Sequence, residues 1–176
     1  MTVAALALRT HTVSSSRPTF AQVAEANLDA VYRYLRQLTG NPHLAEDLTS
    51  ETFERALRVW SRYDPARGPA LPWLVTIARR IALDHFRSDT RRRGRELRAA
   101  AAEVVTSRSV DDHGDLPTNI AAALDTLTRA EREVVALRVL LDLDGAEAAA
   151  VLGITPSACS TQLHRAMTKL RKELGP

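Results

Sequence analysis

Leu141-Asp-Leu-Asp-Gly-Ala-Glu-Ala-Ala-Ala-Val-Leu-Gly-Ile-Thr-Pro-Ser-Ala-Cys-Ser-Thr-Gln-Leu-His-Arg-Ala-Met-Thr-Lys-Leu-Arg-Lys-Glu-Leu174 reads as a short helix, a turn around Gly153 and a longer helix. Asp144 is placed to cap the first helix, with Glu147 three residues on, and Gly153 ends it in a left-handed conformation that a side chain would resist. Thr155 and Pro156 supply a cap and a first-turn proline for the second helix. In that helix Cys159, Leu163, Ala166 and Leu170 recur at helical spacing and face a core. Ser160, Thr161, His164, Arg165 and Lys169 fall on the other side. A helix-turn-helix that presents small polar and basic residues from the start of its second helix fits a DNA major groove. An ordinary helical hairpin with a solvated face is the competing reading of this stretch alone.

Outside it, the length of 176 residues allows one ordinary domain or two small ones. Lys plus Arg (24) barely exceeds Asp plus Glu (21), so the net charge says little about partners. Its distribution says more. Arg79 to Arg98 holds eight Arg against three acids, whereas Glu25 to Glu54 holds six acids against two Arg. Such a chain meets an anion with one surface and a basic partner with another. Cys159 is the only cysteine, which excludes an intrachain disulfide framework and a cysteine-based zinc site. The five histidines show no metal-ligand spacing, so no metal or other cofactor is expected. No apolar run approaches the roughly 20 residues of a membrane span, and residues 1–17 read as a disordered tail of a cytoplasmic protein, not as a secretory signal.

Taken in order, Thr19 to Gln22 is a capping-box pattern, followed by Val23, Leu28, Val31, Leu35 and Leu38 at helical spacing up to Gly40. Asn41-Pro42 starts a second helix with Leu44, Leu48, Phe53, Leu57 and Trp60 apolar and Glu46, Asp47, Glu51 and Glu54 along its exposed side. Ser61 to Leu71, with Pro65, Gly68 and Pro69, reads as a loop. Pro72 opens a third helix, in which Arg79, Arg80 and Arg87 are basic. Residues 91–116 read as a linker: a basic run, a helix-permissive stretch from Ala99 to Val105, then a polar and acidic segment. A second helical unit begins at Pro117, with a capping box from Thr128 to Glu131. No alternating strand pattern occurs. The fold class is therefore all-α, two small helical domains (18–90 and 117–176) joined by a flexible linker, the second a helix-turn-helix.

No catalytic set assembles, because there is neither a glycine-rich phosphate loop nor a base beside a nucleophile. Binding is the stronger class. Ser160 and Thr161 let the last helix sit deep in a groove, while Arg165 and Lys169 reach phosphate or a guanine edge. The third helix and the loop with Tyr63 and Arg67 form a second nucleic-acid surface, where an aromatic ring flanked by cations could hold an unstacked base. The acidic face of the second helix would repel phosphate; it either meets a basic protein or is solvated. A stand-alone helix-turn-helix regulator and a protein-binding helical adaptor are the rival readings.

Ala45 to Phe53, Pro72-Trp73-Leu74, Ile77-Ala78-Arg79, Asp84-His85-Phe86-Arg87, Leu127 to Glu133 and Leu163-His164-Arg165-Ala166 occur in that order. In this the chain resembles the extracytoplasmic-function (ECF) sigma factors of bacterial RNA polymerase. The resemblance implies an alternative sigma factor that binds core polymerase and directs promoter-specific initiation. Asp47, Leu48, Ser50, Glu51, Phe53 and Leu57 would dock on the clamp of the largest subunit. Tyr63, Arg67, Arg79, Arg80 and Arg87 would serve the minus-ten element, and Ser160, Thr161, His164, Arg165 and Lys169 the minus-thirty-five element. The flap of the second-largest subunit, promoter DNA and an anti-sigma factor are the further partners implied. The chain departs from the family pattern at Arg80, where Asn is usual, and at Ser50, Asp144, Ser160 and Gln162.

Overall fold

The computed structural model describes residues 17–99 and 118–175. The residues read as tail, apart from Arg17, and linker residues 100–116 lie outside the described residues. Among the described residues every regular element is helical: α1 (Phe20–Thr39), α2 (Pro42–Arg58), α3 (Ala70–Ala99), α4 (Thr118–Asp125), α5 (Arg129–Val135), α6 (Gly145–Leu152) and α7 (Pro156–Leu174). Two single 3-10 turns, Trp60–Arg62 and Pro65–Arg67, occupy the loop before α3, and a π turn, Ala136–Leu140, continues α5.

Helix starts follow from local chemistry. The Thr19, Thr128 and Asp144 side chains each accept from the backbone N–H three residues on, and the Gln22, Glu131 and Glu147 side chains return the bond to the cap residue's own N–H. Asn41 caps α2 and Thr155 caps α7, both ahead of a first-turn proline. Such caps each contribute about 1 kcal/mol. Gly40 and Gly153 end α1 and α6 at φ 66° and 70°, the left-handed region that glycine enters without a Cβ clash.

Two departures from periodicity matter. First, α3 does not stop before the arginine run but continues through it to Ala99. Asp89 pairs at 2.8 Å with both Arg92 and Arg93, and Arg91 Nε donates to the Arg87 carbonyl at 3.2 Å, so local ion pairing offsets the like charges. Second, the helix after Thr128 widens into the π turn, and Asp142 follows at φ 52°, a conformation Asp tolerates better than most residues. The wider turn brings the Leu143 N–H onto the Leu137 carbonyl at 3.0 Å, while the Arg138 guanidinium donates to the Leu143 carbonyl.

α1, α2 and α3 pack as a three-helix unit, and α4 to α7 form a second unit in which α7 lies across α4, α5 and α6. The two units are in direct contact: α6 lies on α3, and α5 with the π turn lies on α1. One apolar cluster therefore runs through both, from Val31, Tyr34, Leu35 and Leu74 to Val134, Leu137, Leu141 and Leu143. A smaller cluster of Leu124, Leu127, Val135 and Ala166 holds the second unit together from within. Cys159 is buried, and burial raises its thiol pKa. No described helix is long and apolar enough to cross a membrane, and no described group of His, Cys, Asp or Glu could hold a metal.

Candidate nucleic-acid interface

On α2, Asp47, Ser50, Glu51 and Leu57 are exposed; Asp47 has Ser50 and Glu51 at three- and four-residue spacing, and Leu57 follows seven residues, about two turns, after Ser50. Leu57 is 56% exposed, a large apolar side chain in water one turn beyond Glu54. Leu48 instead belongs to the core at 3% exposure, and Phe53 packs edge-on to Phe20 at 6.5 Å. Of the six residues assigned to polymerase, four are thus presented and two hold the helix on its neighbours.

The loop between α2 and α3 is built on an aromatic nest. Trp60 stacks on Tyr63 at 4.9 Å and 23°, Tyr63 lies 5.2 Å from Trp73, and Phe20 meets Trp60 edge-on at 5.4 Å. Arg17 also lies over Trp60, 5.1 Å from its ring centroid, and donates to its carbonyl. The sequence suggested Tyr63 as a ring on which a base stacks. In the structure it is 7% exposed, its ring packs against both Trp60 and Trp73, and its hydroxyl donates to the Gly68 carbonyl at 3.3 Å. Burial raises the Tyr63 pKa. Tyr63 thus shapes the loop, and exposed Arg67 stands at its edge, 3.6 Å from Asp64. A cleft of about 490 Å³ opens beside it, walled by Arg62, Arg67, Trp73 and Thr76 on one side and by Glu147, Ala150 and Val151 of α6 on the other.

Along α3 the three assigned arginines have different surroundings. Arg80 is exposed. Arg87 is exposed and pairs with Asp84 at 3.3 Å. Arg79 is only 23% exposed in its side chain and is held by Glu133 of α5: Nε donates to Oε1 at 2.6 Å and Nη2 to Oε2 at 3.4 Å. The Tyr34 hydroxyl donates to the same Glu133 Oε1 at 3.0 Å. Tyr34 is fully buried, and burial first, then the Glu133 charge, push its pKa well above the ordinary tyrosine value. Beside this group Arg129 of α5 lies 4.1 Å from the Phe86 ring centroid of α3, and burial lowers its pKa. Neither Tyr34 nor Glu133 was singled out from sequence. The available signal was a carboxylate set directly beside Val134 and Val135 in a helix too short to have a wide polar face.

On α7, Ser160, Thr161, His164 and Arg165 are exposed, with Thr161 Oγ1 donating to the Ser157 carbonyl at 3.0 Å. Lys169 is turned inward, its Nζ donating to Glu131 Oε2 at 2.8 Å. Glu131, 8% exposed, also accepts from the Thr128 N–H and hydroxyl. The Lys169 bond, ahead of the Thr128 bonds, holds the Glu131 carboxyl below the usual range.

Residues 23–92 match the description Sigma-70 region 2, and residues 118–170 match Sigma-70, region 4. Both units are therefore of the Sigma-70 class. ECF RNA polymerase sigma factor BldN of Streptomyces coelicolor is 38% identical over 162 residues, 88% of this chain and 60% of that protein. RNA polymerase sigma factor CarQ of Myxococcus xanthus is 32% identical over 145 residues, 82% of this chain and 83% of that one. Among solved structures, the sigma factor RpoE in complex with the anti-sigma factor NepR from Bartonella quintana aligns with a TM-score of 0.69 at 25% identity, over 88% of this chain and 96% of that one. The chain belongs to the ECF RNA polymerase sigma factors. It spans less than two thirds of the length of BldN.

Proposed function

We propose that this chain is an alternative sigma factor that binds core RNA polymerase and directs initiation at promoters carrying minus-ten and minus-thirty-five elements. The observation that carries the reading is the exposed α2 stripe of Asp47, Ser50, Glu51 and Leu57, in a chain that also presents the polar and basic start of α7. Acids there have no use on phosphate, and an exposed apolar side chain further along the same helix suits a basic protein partner, here the clamp of the largest polymerase subunit. The loop with Arg67 and the α3 arginines Arg79, Arg80 and Arg87 serve the minus-ten element. Ser160, Thr161, His164 and Arg165 serve the minus-thirty-five element. Tyr63, Leu48 and Phe53 support these surfaces from beneath, and Lys169 braces α7. Each half offers few contacts to DNA, so the halves act together when polymerase holds them at the right spacing. The flap of the second-largest subunit is the expected dock for the second half. An anti-sigma factor, such as the NepR that accompanies RpoE, is the expected antagonist, and the cytoplasm is the expected compartment. The role is binding, not catalysis.

The test is run-off transcription with purified core polymerase, with and without the protein, on a pool of fragments from the source genome. New transcripts whose start sites share two upstream boxes support the reading. Tight duplex binding by the protein alone with no new transcripts refutes it in favour of a stand-alone regulator.

A further inference from the structure

The loop from Trp60 to Pro69 carries two exposed arginines, Arg62 and Arg67, on nothing more regular than two single 3-10 turns. Its later part is fixed from within: the Asp64 side chain accepts from the Ala66 N–H at 3.0 Å, and the Tyr63 hydroxyl donates to the Gly68 carbonyl at 3.3 Å. The first turn, Trp60–Arg62, has no side-chain cap of its own. It is held from outside, by the residue two positions before the Thr19 cap of α1. The Arg17 guanidinium lies 5.1 Å from the Trp60 ring centroid and donates through Nη2 to the Trp60 carbonyl, 43 residues away. That same carbonyl accepts from the Tyr63 N–H at 3.1 Å, the bond that closes the turn. One cation therefore holds both the ring and the backbone of the residue on which Tyr63 stacks. Local sequence favours the contact, because Pro18 disfavours helical backbone in the residue before it and so leaves Arg17 outside α1. Phe20, the first residue of α1, meets Trp60 edge-on at 5.4 Å and sets the helix start beside the loop. Burial raises the Tyr63 pKa and the Arg17 charge opposes the rise, so the cation acts on both stacked rings.

Resting on the minus-ten assignment above, we infer that Arg17 is a positioning residue for promoter opening: it holds the Trp60 turn, and through it the loop, in the arrangement that presents Arg62 and Arg67 to minus-ten DNA. Arg17 needs no contact with DNA for this. A cation over an indole contributes more where the ring is sheltered from water, and Trp60 is half-buried among Phe20, Tyr63 and Trp73. A planar guanidinium can lie over a ring while its N–H groups donate elsewhere, which a compact ammonium does less well. A loop that holds its competent arrangement only part of the time binds its target with an affinity reduced by that fraction. The effect falls on the promoter step and not on docking to polymerase, which is assigned to α2.

The test compares the full chain with its Arg17→Ala and Arg17→Lys variants, each assembled with core polymerase on a promoter fragment recovered by run-off transcription. Arg17 is exposed, so neither substitution threatens the fold. Promoter opening is followed by permanganate reactivity of unpaired thymines, and core affinity by anisotropy of the labelled chain. The loop is followed by hydrogen exchange of a peptide covering residues 60–69 in the free chain. Arg17→Ala is expected to lower promoter opening about threefold or more, at unchanged core affinity, and to speed exchange in the loop. Arg17→Lys should recover part of the loss, because it keeps a cation but not the planar fork. Unchanged opening in Arg17→Ala overturns the assignment, and so does an equal loss of core affinity, which would make Arg17 part of the docking surface. Full recovery by Arg17→Lys with loop exchange unchanged in both variants overturns it as well, since Arg17 would then act on DNA by charge alone. If the unmodified chain directs no transcription, the sigma reading fails; faster exchange in Arg17→Ala then still supports Arg17 as the anchor of the loop, and unchanged exchange overturns that too.

Discussion

Lys169→Met separates a brace from a DNA contact. The substitution keeps an aliphatic stem in place and removes the 2.8 Å bond from Nζ to Glu131 Oε2, the polar tie between α7 and α5. A hydrogen bond to a charged group contributes about 1.5 to 3 kcal/mol. The Lys169 side chain is 44% exposed, so solvent screening removes about half of that and leaves about 1 kcal/mol. For a chain of this size the loss lowers Tm by about 2 to 4 °C. Glu131 keeps its Thr128 donors and is not left unpaired. Acid supplies a second readout. The folded Glu131 carboxyl titrates below its ordinary value, so its stabilisation is fully present above about pH 4.3 and is lost as pH falls through the folded value. Below about pH 4.3 the chain carrying Lys169→Met should therefore lose less stability than the parent chain. The assays are urea unfolding at several pH values and the salt dependence of duplex binding by the full chain. Each phosphate contact adds about 0.9 to the slope of log affinity against log salt. Arg165→Ala should lower that slope by about one contact and Lys169→Met should leave it unchanged. If Lys169→Met instead leaves stability intact and lowers the slope by about 0.9, Lys169 is a phosphate contact and the brace is refuted.

Reversing Asp47 and Glu51 together to Lys should abolish polymerase binding at unchanged Tm, because both are exposed; retained affinity in a pull-down with core polymerase counts against the α2 dock. Leu48→Ala should cost about 2 to 5 kcal/mol in denaturant unfolding, since the side chain is 3% exposed within the core; a loss under about 0.5 kcal/mol would place Leu48 outside it. Gly153→Ala has open space around the new methyl group but forces alanine to φ 70°, so it should cost about 1 kcal/mol through backbone strain alone. A neutral result in thermal unfolding would mean that the turn relaxes away from the left-handed region.

The parts of the fold that were legible were those whose cause lies within three or four residues. Thr19 with Gln22, Thr128 with Glu131 and Asp144 with Glu147 start helices by themselves, and Gly40 and Gly153 stop them. The α7 face of Ser160, Thr161, His164 and Arg165 was legible for the same reason. Periodicity does not rank residues on a stripe, however, so nothing in α2 distinguished Leu48, which is buried, from Leu57, which is not. The inward turn of Lys169 depends on Glu131, 38 residues away. The Arg79 group depends on Glu133, 54 residues away, and Tyr34 lies 99 residues from the same carboxylate. Such pairings are made by docking of the two units, which no local pattern encodes. The arginine run reads as the start of a linker because its like charges resemble a solvated segment; the pairs of Asp89 with Arg92 and Arg93 that offset them form only once the helix continues.

The apolar cluster shared between the units has a consequence during synthesis. A ribosome delivers α1 to α3 first, and at about 5 to 20 residues per second the remaining stretch takes several seconds to follow. Throughout that interval Tyr34, and the part of α1 that meets α5, have no second unit to cover them. The nascent half must therefore stay soluble with an apolar surface showing, helped by the acids of α2 and the arginines of α3. Tolerance of an uncovered face is thus required of this half in every round of translation.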